Sequence, residues 1–268
     1  FAVFERRDCP LDFRGFHSKI RIESFMKKIN FGGLYKNMLG IIGAMDQEVS
    51  ILKEKMEVKK IDRKASMEFH VGTLKGKDVV IVKCGVGKVN AAVCTQILAD
   101  CYDVEAVINT GVAGSLRAEI NIGDIVVSTD ALQHDMDATG FGYEPAEIPL
   151  MGKKTFEADA KLRSLIAETC REVNPEIGVF EGRVVSGDQF VSDGNVKARL
   201  VKMFDPYCTE MEGAAIAQTA WLNQIPFVII RAISDKADGS AQMDYSEFEA
   251  KAIEHTVKLV EAAAAKLA

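Results

Sequence analysis

No apolar run in this chain approaches the roughly 20 residues that a helix needs to cross a bilayer. The runs at residues 38–45, 79–82 and 226–230 are all short. Basic charge is in deficit: 33 Lys+Arg stand against 39 Asp+Glu, a formal net charge of −6. With a sequence pI near 5.4, the balance argues against a nucleic-acid binder that works through bulk charge. The six cysteines (Cys9, Cys84, Cys94, Cys101, Cys170, Cys208) form no Cys-x-x-Cys pair, and no His lies at finger-like spacing. Structural zinc is therefore not expected. In a chain with a full core they read as small buried hydrophobes in a reducing cytoplasm. Cys94 and Cys101, seven apart on an expected helix, share a face with poor geometry for a disulfide. Internal repeats and low-complexity tracts are absent, apart from the helix-favouring alanines at 262–265.

What is present is 268 residues, enough for one large domain or two small ones and for a sizeable core. Hydrophobic residues at 48% and charged residues at 27% rule out disorder as the main state. Residues 1–37 are a different material. They hold eight basic residues (Arg6, Arg7, Arg14, Lys19, Arg21, Lys27, Lys28, Lys36) and four acidic ones (Glu5, Asp8, Asp12, Glu23), so this stretch is +4 and the remainder −10. Six of the 14 Phe also fall there. The stretch has no steady period and no continuous apolar core of a signal peptide. It is expected to be a basic, Phe-rich extension, non-native or disordered, with the natural start at Met26 or Met38. A basic targeting arm is the weaker reading, because acidic residues are interspersed. Residues 38–268 are expected to form a single domain.

From Met38 the pattern changes. Leu39-Gly-Ile-Ile-Gly43 is a short apolar strand, and Val49, Leu52 and Met56 then recur at helical spacing. Residues 68–74 and 78–84 read as strands joined through the turn signal Lys75-Gly76-Lys77. Gly85-Val-Gly-Lys88 opens a helix on which Val89, Val93, Ile97 and Cys101 form one face. Residues 106–109 are a buried strand ending in the Gly-rich turn Thr110-Gly111-Val-Ala-Gly114. Further strands are expected at 124–128, 179–186 and 227–233, and helices at 157–171, 212–223 and 246–267. Strands followed by helices, most of them apolar on both faces, predict an α/β three-layer sandwich around a mixed, largely parallel sheet.

Polar residues that look out of place cluster at strand ends, where open α/β sheets put their ligands. Gly43-Ala-Met-Asp-Gln-Glu48 sets a carboxylate in a first helical turn, which taken alone is an ordinary dipole-favoured acid. Asn109-Thr-Gly-Val-Ala-Gly114 lets backbone approach a ligand closely, yet it matches neither the dinucleotide nor the P-loop pattern. Glu210-Met-Glu-Gly213 puts two carboxylates at the entrance to an Ala-rich helix; one is a cap, two point to acceptors for sugar hydroxyls. Arg231-Ala-Ile-Ser-Asp235 follows a buried apolar strand, which makes a mere surface ion pair a poor account of it.

These stretches resemble the 5′-methylthioadenosine/S-adenosylhomocysteine nucleosidases of the purine nucleoside phosphorylase superfamily. The resemblance runs from Leu39 to the C-terminal helix. Its pieces come in family order: Ile-Ile-Gly-Ala-Met at 41–45 with Glu48, Gly85-Val-Gly-Lys-Val89, Asn109-Thr-Gly111, Gly123-Asp-Ile-Val-Val127, Phe141-Gly-Tyr143, Ser186-Gly-Asp188 with Phe190, Glu210-Met-Glu212 and Arg231-Ala-Ile-Ser-Asp235. Each is weak alone, and eight in order make a strong match.

The resemblance implies hydrolysis of the N-glycosidic bond of adenine nucleosides carrying a 5′ thioether, in methionine salvage and methyl-cycle recycling. Adenine leaves with methylthioribose or S-ribosylhomocysteine as the other product. The leaving base needs a proton and the oxocarbenium-like sugar needs water. The resemblance makes Asp235 the acid at purine N7 and Glu48 the group that orients and deprotonates the water, with burial raising Asp235 while Glu48 stays ionised. It makes Glu210, Met211 and Glu212 sugar contacts, Arg231 the cation beside the acids, Phe190 the stacking ring and Val191 a backbone partner of the base. Ser234 would orient Asp235; Met45, Val86, Phe141, Tyr143 and Tyr245 would line the alkylthio pocket or cover the sugar. Three departures bear on substrate preference: Val112 where the family often has Ser, Gln189 where a small residue is common, and Tyr245 where Phe is frequent. His134, Asp135 and Asp137 make a thin ligand set, and the family needs no metal or cofactor.

Two rivals stand beside this reading. A phosphorylase of the same fold needs a cationic anion site, and Glu48 with Asp46 would repel phosphate. A catalytically silent nucleoside-binding module would have no use for both Glu48 and Asp235. The small-molecule nucleoside and water are the expected partners, with no nucleic acid and no membrane. The loop at 143–151, with Pro145, Pro149 and apolar residues at 148, 150 and 151, predicts a homodimer interface. In the resembling family this loop, with Pro149, reaches the neighbouring site.

Overall fold

The computed structural model describes residues 37–238 and 241–268, with backbone alone over 241–247. Ten strands and six helices follow one another as β1 (Met38–Gly43), α1 (Asp46–Lys55), β2 (Glu57–Lys64), β3 (Met67–Leu74), β4 (Lys77–Lys83), α2 (Lys88–Tyr102), β5 (Val104–Ser115), β6 (Ile125–Gln133), β7 (Phe156–Glu157), α3 (Ala160–Val173), β8 (Val179–Ser186), α4 (Gly194–Phe204), β9 (Cys208–Glu210), α5 (Gly213–Leu222), β10 (Phe227–Asp235) and α6 (Ala241–Leu267). The strands make one sheet in the order β10-β6-β8-β9-β5-β1-β4-β3-β2, with β7 against β6. The sheet is mixed. Pairs β1–β4, β1–β5, β5–β10, β6–β8 and β8–β9 are parallel, while β2–β3, β3–β4, β5–β9, β6–β7 and β6–β10 are antiparallel.

Strand periodicity sets the layers. Alternate side chains of a strand face opposite sides, and the middle strands are buried on both. In β10, Val228, Ile230 and Ala232 join Val49 and Leu52 of α1, Ile166 of α3 and Val260 of α6. Ile229 and Ile233 join Leu98 of α2 and Ile216 of α5 on the other face. The result is the helix–sheet–helix sandwich expected from the sequence.

Because β10 pairs with both β5 and β6, strands β5, β10, β6, β8 and β9 close into a ring. Its register sets Gly111 beside Arg231, Gly114 beside Asp235, and Ser186 beside Glu210. Closure thereby draws the ends of four strands onto one spot.

Two local expectations change, the turn at 110–114 and the burial of Cys101, and two further details were not foreseen. The stretch at 110–114 is not a turn: β5 runs unbroken to Ser115. Strand β2 escaped notice because its charged residues are nearly all exposed, as suits a sheet edge. On α2 the buried residues are Ala91, Cys94, Thr95, Leu98 and Tyr102, while Val89 and Val93 lie on the outside of the single chain. Cys94 is buried and Cys101 exposed, so the two differ in surroundings despite their spacing. The expected extension falls, apart from Asn37, outside the described residues. No helix among the described residues is long and apolar enough to cross a membrane.

Candidate active site

Glu48 lies in the first turn of α1, and its carboxylate folds back on the start of its own helix. Oε2 accepts from the backbone N–H of Ala44 at 2.6 Å and of Met45 at 3.0 Å, while Oε1 accepts from Val112 N–H at 3.1 Å. The group is only 2% exposed. Burial pushes its pKa up from the usual carboxylate range, against the pull of Arg231 and the three N–H groups. Burial thus works against the ionised Glu48 that the resemblance implies. A raised carboxylate is also the better proton acceptor, provided the pH keeps it ionised.

Asp235 closes β10. Its Oδ1 accepts from Ala237 N–H at 2.7 Å and its Oδ2 from the Ser234 hydroxyl at 2.9 Å. No side chain fits at Gly114 across the ladder, because a β-carbon there would sit 2.7 Å from Asp235 Oδ1.

Beside Glu48 lies a fully buried cation. Arg231 Nη2 donates to Asn109 Oδ1 at 2.6 Å and to Glu210 Oε2, with Glu212 Oε2 at 3.9 Å. Burial opposes the charge on Arg231, but Glu210, Glu48 and Glu212 outweigh it and hold the guanidinium ionised. Its Nε and Nη1 have no hydrogen-bond partner among the described residues. A β-carbon at Gly111 would stand 2.1 Å from Arg231 Nη1 and 2.4 Å from Glu48 Oε1. That glycine is what lets Glu48 and Arg231 approach each other. Three carboxylates around one guanidinium leave the cluster acidic. Burial, then the charge of Glu210, push Glu212 up to about 7.

A cavity of about 410 Å³ opens over this cluster. Glu48, Asp235, Met45, Val86, Val112, Phe190, Glu210, Met211, Glu212 and Ser234 all line it, as the sequence led one to expect. Val191 borders a small adjoining recess. Arg231 lies beneath the floor rather than in the wall. Phe141 and Tyr143 do not reach the cavity: the single 3₁₀ turn Thr139–Phe141 stands off the surface and leaves Phe141 89% exposed. Tyr245 lies outside the described side chains. Asp46 turns outward to Lys83, at 2.6 Å, and takes no part. His134, Asp135 and Asp137 diverge: Asp135 holds Lys88 Nζ at 2.6 Å, Asp137 bonds Thr139, and His134 lies against Gly187. Among the described residues no three His, Cys, Asp or Glu gather into a metal cluster. Thr209 and Ser192 also line the cavity and carried no signal in the sequence.

The start of α2 completes the wall. Gly87, at φ +97°, presents its N–H to Glu212 Oε1 at 2.8 Å, and Lys88 N–H meets Asp188 Oδ1 at 2.8 Å. Asp188 is fixed in turn by Asp135, which accepts from its N–H at 2.9 Å.

A ring-closed mixed sheet with acids gathered at its strand ends defines a class, and comparison agrees: residues 38–265 match the family model of the phosphorylase superfamily, to which the chain belongs. Within that class it is 42% identical over 223 residues to the 5′-methylthioadenosine/S-adenosylhomocysteine nucleosidase of Bacillus cereus strain B4264, covering 83% of this chain and 96% of that one. The nucleosidase of the same name from Neisseria meningitidis, solved with methylthio-immucillin-A, superposes with a TM-score of 0.82 at 38% identity, over 86% of this chain and 99% of that one. The futalosine hydrolase of Helicobacter pylori gives 0.80 at 31% identity, over 85% and 97%.

Proposed function

We propose that this protein hydrolyses the N-glycosidic bond of 5′-methylthioadenosine and S-adenosylhomocysteine, releasing adenine with methylthioribose or S-ribosylhomocysteine. The observation that carries the reading is the pairing, on one cavity, of Glu48 beside Arg231 with Asp235 beside Ser234. Asp235 delivers a proton to the leaving purine at N7. Glu48 orients water and takes its proton as the sugar gains positive charge. Glu212 accepts the ribose hydroxyls, Met211 packs on the sugar, and Phe190 stacks on the base with Val191 at its edge. Val86, Val112 and Met45 line the sugar and thioether end. Buried anions around the cavity favour a cationic transition state over its neutral substrate.

Phosphorolysis fits poorly. A helix N-terminus is the natural seat for phosphate, and at α2 its first N–H groups already bind Glu212 and Asp188. The reading places the enzyme in the cytoplasm, where it would serve methionine salvage; its five described cysteines are all free. It also places it in a two-fold dimer. Leu150 is 95% exposed, Phe141 89% and Val89 74%, apolar side chains that a second subunit would cover. Ile148 and Met151, by contrast, pack on their own core, so Leu150 and Phe141 are the residues left to reach a neighbour.

The test is adenine release from methylthioadenosine with and without phosphate, run beside S-adenosylhomocysteine, 5′-deoxyadenosine and futalosine. Equal rates in both buffers with free methylthioribose as product support hydrolysis. Phosphate-dependent release would reassign the protein as a phosphorylase, release from futalosine alone would move the substrate, and no release from any of them would leave only a binding role.

A further inference from the structure

One buried hydroxyl in this cluster does not line the cavity and has so far been given no role. Ser186 ends β8 and has no exposed surface. Its Oγ donates to Glu210 Oε1 and accepts from the Ala214 N–H at 2.7 Å. Glu210 Oε2 takes the Glu212 N–H at 3.1 Å, the Gly213 N–H at 2.7 Å and Arg231 Nη2. Three consecutive N–H groups at the start of α5 are thus satisfied by side chains from the ends of β8 and β9. A helix N-terminus leaves such groups open, and the N-cap residue commonly fills them with its own side chain. Here the N-cap is Glu212, which makes no side-chain cap bond. Its carboxylate is free to face Gly87 N–H and the cavity instead. Gly213 completes the device, since a β-carbon there would lie 3.1 Å from Glu210 Oε1 and 2.9 Å from Ile229.

We infer that Ser186 is a positioning residue: through Glu210 it caps α5 in place of Glu212 and so holds Glu212 and Arg231 in their working orientation. This rests on the nucleosidase reading, in which Glu212 accepts ribose hydroxyls. It also recasts Glu210, whose two oxygens already take four hydrogen bonds from Ser186, Glu212, Gly213 and Arg231, as part of the support rather than a sugar contact.

The experiment compares parent and Ser186→Ala on methylthioadenosine and on its 2′-deoxy and 3′-deoxy analogues, with melting temperature recorded alongside. Loss of a hydrogen bond to a charged group corresponds to about a tenfold fall in kcat/KM on the full substrate. If Ser186 acts through Glu212, that penalty shrinks to within about twofold on the analogue lacking the hydroxyl that Glu212 holds, because the two losses are one interaction counted twice. A merely structural role lowers the melting temperature and cuts all three substrates by the same factor, which overturns the proposal. Ser186→Cys, nearly isosteric and a weak donor, carries the same comparison should the alanine variant not fold; an equal penalty on all substrates overturns it there too. A parent that releases no adenine from methylthioadenosine refutes the nucleosidase reading itself, a result distinct from either.

Discussion

Glu48 and Asp235 are reached from opposite ends of the sequence, and each is tied down by hydrogen bonds that leave little freedom to drift. Glu48→Gln and Asp235→Asn keep size and one acceptor oxygen of two, so activities are compared on protein shown to be folded at the assay temperature. Each should lose on the order of 100-fold or more in kcat for adenine release, the usual scale for proton-transfer groups; turnover within tenfold of the parent would remove that residue from the chemistry. Glu212 makes a prediction of the opposite kind. Its pKa rises from 4.5 to about 7 on folding, so the folded state holds the proton more tightly than the unfolded chain. The stability this contributes is fully present below pH 4.5 and is lost as pH rises through about 7. Glu212→Gln keeps an acceptor for Gly87 N–H and never ionises. The variant should therefore melt higher than the parent at pH 8, by more than any difference at pH 5, while catalysing poorly. Thermal melts of the two proteins across that range check it.

Among the elements, β5 shows best why part of the site was legible and part was not. Its glycines looked like a turn, because glycine usually marks a chain reversal. They are there for a different reason: Gly111 and Gly114 stay extended and leave room for Arg231, Glu48 and Asp235 across the ladder. Gly111→Ala should accordingly push base and cation apart and cost about 100-fold in kcat/KM, the scale of a misplacement of about 1 Å; a kinetic assay on protein of unchanged β-content decides it. The central strands were readable because they are apolar on both faces, and residues 179–186 match β8 from end to end. Most cavity residues followed from their motifs. On α2, Val89, Val93 and Ile97 repeat at helical spacing, and that periodicity shows an apolar face without saying what covers it. Ser186 and Asn109 stood inside recognisable motifs, yet their bonds to Glu210 and Arg231 depend on ring closure, which no local pattern encodes. Strand β9, three residues long, is too short for any period to register.

For the molecule as a whole, the exposed Leu150 and Phe141 predict an assembly. Leu150→Asp with Phe141→Asp should give monomers by sedimentation and raise KM for 5′-thioether substrates, with little change in the melting of the subunit core; a parent that is monomeric at micromolar concentration and fully active would end the shared-pocket idea. The acidic cluster around Arg231 has a calorimetric consequence. A ligand that carries a permanent positive charge where the ribose sits will favour the ionised form of Glu212, which at pH 7 is about half protonated. Binding should therefore expel about half a proton per site into the solvent. Titrations of a nucleoside analogue with a quaternary ammonium in its sugar ring, in phosphate and in Tris, whose heats of ionisation differ widely, should give apparent enthalpies that diverge at pH 7 and converge at pH 9, where Glu212 has no proton left to give.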